Sequence, residues 1–192
     1  SASEPAKDTT TISSEAAAEA ERARAKKSSQ PLQATAADGT AVSVGRVSQG
    51  TPGEGGTEEG SRYAVNLKRT DGSEWNLEIS GDVRITQSAD TTSVYYAAEN
   101  RTRIYQADGS YAEVEGYTGD ENVDSIYVST SDGAAMRSGN GNNLYFVYGD
   151  NTSIEGGSGN DTVVIADGTS GHTINTGEGN DTVNGKTLDH RA

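Results

Sequence analysis

Cysteine is absent from the 192 residues, which excludes disulfides, thiolate zinc sites and a cysteine nucleophile. Proline occurs 3 times, and phenylalanine and tryptophan once each. Leu, Ile, Val and Phe together supply only 27 residues. So small an apolar share, joined to a high net charge, is the usual composition of a chain that does not fold. An ordinary apolar core running through the whole chain is therefore excluded. Long apolar runs are missing too. The longest, LYFVY (144–148) and VVIA (163–166), fall far short of the roughly 20 residues of a membrane-spanning helix. Positive charge is scarce, with 15 Lys and Arg against 29 Asp and Glu and a formal charge of −14. Such a surface repels nucleic acid and anionic lipid, so no nucleic-acid partner and no membrane insertion are expected. It suits divalent cations and basic partners. Nucleotide-binding, nucleophile-elbow and metalloprotease motifs are also absent.

Glycine is what the chain does have, with 24 copies. At that level it marks either flexible linkers or a repeated tight turn, and spacing decides between them. Residues 1–61 are sparse in large apolar side chains and read as a flexible N-terminal segment. Its one credible helix is 13–27 (SSEAAAEAERARAKK), capped by Ser14 and rich in alanine. Residues 50–61 read as a linker. The opening SASEPAKD carries no basic region followed by an apolar one, as expected of a mature chain or of an excised piece.

Residues 62–118 read as a β-rich domain. Apolar and polar residues alternate on both sides of Asp71-Gly72, which predicts a hairpin with strands near 63–69 and 74–79. Val65, Leu67, Trp75, Leu77 and Ile79 form its expected buried face. Short strands follow around 83–85, 94–96, Ile104 and Val114, separated by turns such as 107–109.

Residues 119–186 carry a repeat, and 187–192 a tail. The segments SGNGNNLYF (138–146), GGSGNDTVV (156–164) and TGEGNDTVN (176–184) align, with Gly139, Gly157 and Gly177 at matching positions. Apolar residues recur near every ninth position: Tyr127, Met136, Tyr145, Ile154, Val163, Ile174, Val183. Each nonapeptide is thus a glycine-rich turn plus a short strand. Two of them make one coil of a flattened parallel helix, with strands stacked roughly 4.8 Å apart. The longer step between Val163 and Ile174 predicts a two-residue bulge at about 165–170.

GGSGNDTVV resembles the G-G-x-G-x-D-x-U-x nonapeptide of the repeats-in-toxin (RTX) family, over roughly residues 137–185. TGEGNDTVN departs from it at Thr176, and SGNGNNLYF has Asn143 at the aspartate position. The resemblance implies a parallel β-roll that binds Ca²⁺ in its turns, in a secreted or surface protein of a bacterium. The family's ligands, carried onto this chain, are Asp161 and Asp181 with the loop carbonyls of Gly157, Gly159, Asn160, Gly177, Gly179 and Asn180. Asn143 would serve a weaker second site.

The residues themselves point the same way. Stacking brings Asp161 next to Asp181, and two carboxylates about 5 Å apart repel by roughly 3 kcal/mol at an effective dielectric near 20. Residues 138–185 contain no Lys or Arg, so a hard divalent ion is the natural counter-charge. One or two ions are expected. The competing reading is a calcium-free coil whose Asn and Asp side chains bond their own turns.

Other groups carry weaker signals. His172 and His190 lack partners for catalysis or zinc. Tyr95, Tyr96, Tyr105, Tyr111, Tyr117 and Tyr127 could bind sugar or protein, but such rows more often cover a half-buried sheet. Glu113/Glu115 and Asp120/Glu121 read as solvated charge rather than as glycosidase acids. The expected protein is all-β: a flexible arm, an irregular β region, then a parallel β-roll. Its expected function is non-enzymatic, a calcium-binding structural or surface module that folds as it binds. The alternatives are a calcium-independent solenoid for assembly or adhesion, and an accessory module of a polysaccharide-acting or lipolytic enzyme. Protein, glycan or self-assembly partners remain open.

Overall fold

Segments with Asp-Gly near their centre separate alternating stretches at 36–40 (AADGT), 69–73 (RTDGS) and 106–110 (QADGS). All three close in the same way. The first N–H bonds the fifth carbonyl at 2.8, 2.9 and 2.8 Å, and the glycine N–H returns to the first carbonyl. The aspartate Oδ1 accepts the fifth amide at 2.9, 2.8 and 3.0 Å. The glycines have φ of 91°, 90° and 91°, a conformation that a Cβ disfavours. Hydrogen bonds from the Ser73 and Ser110 hydroxyls hold Asp71 and Asp108 below the ordinary carboxylate range.

The computed structural model describes residues 31–48, 51–52, 58–59, 62–184 and 186–190. Its elements are β1 (Leu32–Thr35), β2 (Ala41–Ser48), β3 (Thr51–Pro52), β4 (Glu58–Glu59), β5 (Arg62–Lys68), β6 (Glu74–Ile79), β7 (Val83–Gln87), β8 (Thr91–Tyr96) and β9 (Arg101–Gln106). They continue with β10 (Tyr111–Glu115), β11 (Ile126–Ser129), β12 (Ala135–Arg137), β13 (Leu144–Val147), β14 (Ser153–Glu155), β15 (Thr162–Ile165), β16 (Thr173–Asn175), β17 (Gly179–Val183) and β18 (Lys186–His190). The described residues are all β, with no helix.

A four-stranded antiparallel sheet has the order β1-β2-β5-β6. A nine-stranded sheet runs β10-β9-β8-β7-β11-β13-β15-β17-β18, and a three-stranded sheet runs β12-β14-β16. From β11 to β17 the long sheet is parallel, as is the short one. Together they form the expected solenoid. Its register steps are 18 residues (Leu144↔Thr162, Ala135↔Ser153) and then 20 (Thr162↔Thr182, Ser153↔Thr173). The extra two residues lie between Ile165 and Thr173, where the bulge is expected.

Two apolar clusters hold these layers. Inside the solenoid, Tyr127, Met136, Tyr145, Val147, Ile154 and Val163 are buried, with Ile165, Ile174 and Val183 packed against them. This includes the whole seven-residue ladder read from the sequence. Outside it, Ile126, Val128, Leu144, Phe146 and Tyr148 face the four-stranded sheet and meet Val42, Val44, Val65, Leu67, Leu77 and Ile79. Strands β11 and β13 are therefore buried on both faces. That is why 144–148 reads as an unbroken apolar run instead of alternating. Arg69 ties the first sheet's hairpin to the second. It stacks over Trp75 at 4.9 Å and donates to Gln87 Oε1, the Ser88 carbonyl and Thr92 Oγ1.

Three expectations about organisation are corrected. Residues 31–48, placed in a flexible arm, include β1 and β2, and Val42 and Val44 are buried. The alternation of Val42 and Val44 gives β2 one apolar face, and β5 supplies the facing residues, from Ala41↔Lys68 to Ser48↔Arg62. The tail 187–192 is largely β18, paired antiparallel with β17. A change of composition near 118 does not divide the sheet, because β7 pairs antiparallel with β11. The helix expected at 13–27 lies outside the described residues. Within the expected linker 50–61, β3 pairs antiparallel with β4.

Phe146 joins the two layers and is fully buried. Phe146→Ala is expected to lower stability by about 3–5 kcal/mol in urea unfolding. Val114→Thr, on the exposed edge strand β10, is expected to change it by under about 0.5 kcal/mol.

Candidate functional site

A parallel stack leaves turn amides between coils that no strand ladder satisfies. Here Asn and Asp side chains of neighbouring coils satisfy them. On the inner side of the turns, Asn143 Oδ1 accepts the Ser125 amide at 2.9 Å, Asp161 Oδ1 accepts that of Asn143 at 2.9 Å, and Asp181 Oδ1 accepts that of Asp161 at 2.7 Å. These side chains are 1%, 1% and 0% exposed. On the outer side the direction reverses. Asp124, Asn142 and Asn160 accept from Asn142, Asn160 and Asn180 at 2.7, 2.7 and 2.8 Å. A second outer row links Asn122 to Asn140 and Asn140 to Ser158. Inner side chains thus accept from the coil before, and outer ones from the coil after.

Glycine permits this closeness. A Cβ on Gly159, where φ is +115°, would sit 2.6 Å from the Gly141 carbonyl oxygen. Gly177 and Gly179 face the carbonyls of Gly157 and Gly159 even more closely. The carbonyl of Gly157 accepts the Glu178 amide at 3.2 Å.

The structure brings Asp161 and Asp181 together, one coil apart. It also separates the two gaps. Between 143 and 161 the Asn143 amide bridges, donating to the Gly141 carbonyl at 3.0 Å and to Asp161 Oδ1 at 3.2 Å. Between 161 and 181 no amide is available. Asp161 Oδ2 and Asp181 Oδ2 are buried without a hydrogen-bond partner among the described residues, as is Thr176 Oγ1. Asp161 Oδ2 and the Thr176 carbonyl oxygen both lie 2.7 Å from the point where a Gly156 Cβ would stand. Burial pushes Asp161 up to about 7, against the hydrogen bonds from Asn143, and the charges of Asp181 and Asp124 add to the rise. Among the described residues no group of three or more acidic or histidine side chains converges as a metal cluster. A cation here would rely on two carboxylates and neutral oxygens.

The opposite turns use the same device with other residues. Thr152 and His172 stand where the aspartates stand, and His172 Nδ1 accepts the Thr152 amide at 3.2 Å. Its Nε2 meets Thr169 Oγ1 at 2.9 Å. Asp150, which looks out of phase in the sequence, belongs to an outer row: Asp132 accepts from Asp150, and Asp150 from Ser170, both at 2.9 Å. Asp82 begins that row from β7's side by accepting the Thr130 and Ser131 amides. Sequence reasoning missed Asn122, Asp124, Asn142, Asp132 and Asp82. The first four were readable from the 18-residue step; Asp82, outside the repeat, was not.

The tyrosines mostly cover the sheet. Tyr96 and Tyr127 are buried. Tyr127 stacks on Tyr145 at 4.9 Å, and Arg84 lies over Tyr117 and Tyr127 at 4.3 and 5.2 Å. Tyr111 is half exposed beside Tyr105, under Arg103. Glu113 pairs with Arg103 at 3.2 Å, and Asp120 accepts the Asn122 amide. Comparison with models of known families, with curated proteins and with solved structures found no match to this chain.

Asp161 makes stability depend on pH. Its folded value, about 7, lies above its unfolded value near 3.9. The folded state therefore keeps a proton that the unfolded state releases between these limits. This group's contribution is full below about pH 4 and declines as pH rises toward 7, by up to about 4 kcal/mol. In chelator, urea unfolding from pH 4.5 to 7.5 is expected to show wild type losing ground to Asp161→Asn by an amount of that order. Parallel profiles would contradict the raised value.

Proposed function

We propose that this chain is a non-enzymatic structural or surface module of a secreted bacterial protein, whose solenoid is stiffened by calcium between the turns at 157–161 and 177–181. The observation that carries the reading is the pair of buried carboxylates one coil apart, each with Oδ2 unpaired among the described residues. Unpaired buried charge is strongly destabilising, and residues 138–185 offer no Lys or Arg to relieve it. The donor set is all oxygen, which suits a hard cation. Calcium accepts six to eight oxygens in flexible geometry, whereas magnesium demands a near-ideal octahedron.

The residues that would hold the ion are Asp161 and Asp181 through Oδ2, with loop carbonyls of 157–161 and 177–181. When bound, it supplies the positive charge that the gap lacks. The chain's part is to align the two carboxylates through their Oδ1 bonds and to exclude water by burial. A ligand that binds only the folded coil then stabilises it. The secreted or surface setting rests on the nonapeptide resemblance.

A second reading is a calcium-independent solenoid for assembly or adhesion. The side-chain ladders favour it, since they connect all three turns without an ion. Thermal unfolding of the full chain separates the two. With calcium near 100 times its Kd, the midpoint is expected to rise by about 5–10 °C over that in chelator. Asp161→Asn and Asp181→Asn are expected to abolish the rise. Identical curves for wild type in calcium and chelator would leave the second reading.

A further inference from the structure

Four buried side-chain polar atoms lack a hydrogen-bond partner among the described residues, and three of them lie in two stacked turns: Asp161 Oδ2, Asp181 Oδ2 and Thr176 Oγ1. Thr176 is 2% exposed and stands where the nonapeptide pattern has glycine. The repeat supplies its own comparison, because Ser138, Gly156 and Thr176 occupy one position in successive coils. The Ser138 hydroxyl pairs with the Tyr145 hydroxyl. Gly156 has no side chain. Thr176 has a hydroxyl, but Val183 fills the place that Tyr145 fills two coils earlier, so that partner is gone.

Register indicates which residues Thr176 stands beside. Glu155 lies opposite Asn175 and Thr162 opposite Thr182, which sets Gly156 opposite Thr176 and Asp161 opposite Asp181. The Cβ direction of Gly156 points at Asp161 Oδ2. By the repeat, the Thr176 Cβ stands to Asp181 as a Gly156 Cβ would stand to Asp161, and the hydroxyl makes no hydrogen bond to either carboxylate among the described residues. The Thr176 carbonyl oxygen meanwhile faces the same space as Asp161 Oδ2. Two carboxylates already balance a doubly positive ion, so a further ligand is best neutral, and hydroxyl and carbonyl oxygens suit calcium.

We infer that Thr176 contributes its hydroxyl as a third side-chain ligand to a calcium ion between Asp161 and Asp181, and so makes this gap, rather than the 143/161 gap, the one that holds the ion. The inference rests on the calcium reading above. Calorimetric titration of the full chain with calcium chloride tests it, using wild type, Thr176→Val and Thr176→Ser, with circular dichroism in chelator as the check on folding. Thr176→Val is expected to bind roughly tenfold or more weakly, and Thr176→Ser about as well as wild type. Should valine disturb the coil, Thr176→Gly repeats the residue at 156 and is expected to show the same loss. Wild-type affinity in Thr176→Val or Thr176→Gly overturns the hydroxyl ligand and leaves the ion; if chelator-state stability changes instead, the hydroxyl bonds a buried water. No calcium heat in wild type overturns the calcium reading and this inference together.

Discussion

The solenoid depends on one requirement: the amides of a stacked turn must find acceptors, and the neighbouring coils supply most of them. Strand ladders satisfy the flat parts. The corners rely on Asn and Asp side chains that reach one coil up on one side and one coil down on the other. Each corner residue thus has a double task, an acceptor for one neighbour and a donor to another. Slipping the register by one residue would break both rows and turn the apolar ladder outward together. Glycine follows from this requirement. Coils that approach closely enough for a short side chain to bridge them leave no space for a Cβ at 159.

The same geometry explains how so few apolar residues suffice. A coil that binds its neighbours through its corners needs only one or two apolar side chains per strand inside. The remainder of the apolar content is spent outside, on β11 and β13, where the four-stranded sheet covers them. Strand β7 continues the solenoid's long sheet as an antiparallel partner of β11. Asp82 and Arg84 on its side engage the first coil's turns, Asp82 at 130–131 and Arg84 at Ser125 and the Glu121 carbonyl. An open coil end is thereby replaced by a sheet that ends in hairpins. At the other end β18 covers β17.

Much of this was legible in the sequence, because its signals are periodic. A step of nine located the inward ladder from Tyr127 to Val183, though not Val147 or Ile165 beside it, and the insertion near 165–170. Alternation around Asp71-Gly72 located β5 and β6. The misses have physical causes. The first hairpin carries the same Asp-Gly turn at 36–40 as the other two, but its strands offer few large apolar residues. Composition alone put it in a flexible arm. Its burial comes from β5 and from Tyr148, whose hydroxyl donates to the Val44 carbonyl at 2.7 Å, a contact across 104 positions of sequence that no local pattern reports. In the turns, the stacking of Asp161 on Asp181 was readable. The outer rows were less visible, because Asn160 reads as a carbonyl ligand and Asn142 has no assigned role, whereas both act through side-chain oxygens. The His172 acceptor was hidden because its stacked neighbours are Thr152 and Ala134, so no row of Asn or Asp marks that turn.

Position 143/161/181 finally separates what the stack needs from what it carries in addition. All three side chains perform the structural task through Oδ1. An amide performs it fully, since Asn143 Nδ2 donates to the Gly141 carbonyl and to Asp161. A carboxylate cannot donate, and its second oxygen at 161 and at 181 is left buried and without a partner among the described residues. Asparagine at all three positions would therefore build a better-satisfied coil. Aspartate at two of them stabilises the stack only when something positive completes the gap. A proton suffices for one carboxyl at low pH; a divalent cation answers both at once. The choice of acid over amide at 161 and 181 has no account in the hydrogen bonds of the coil itself, and the calcium reading supplies one.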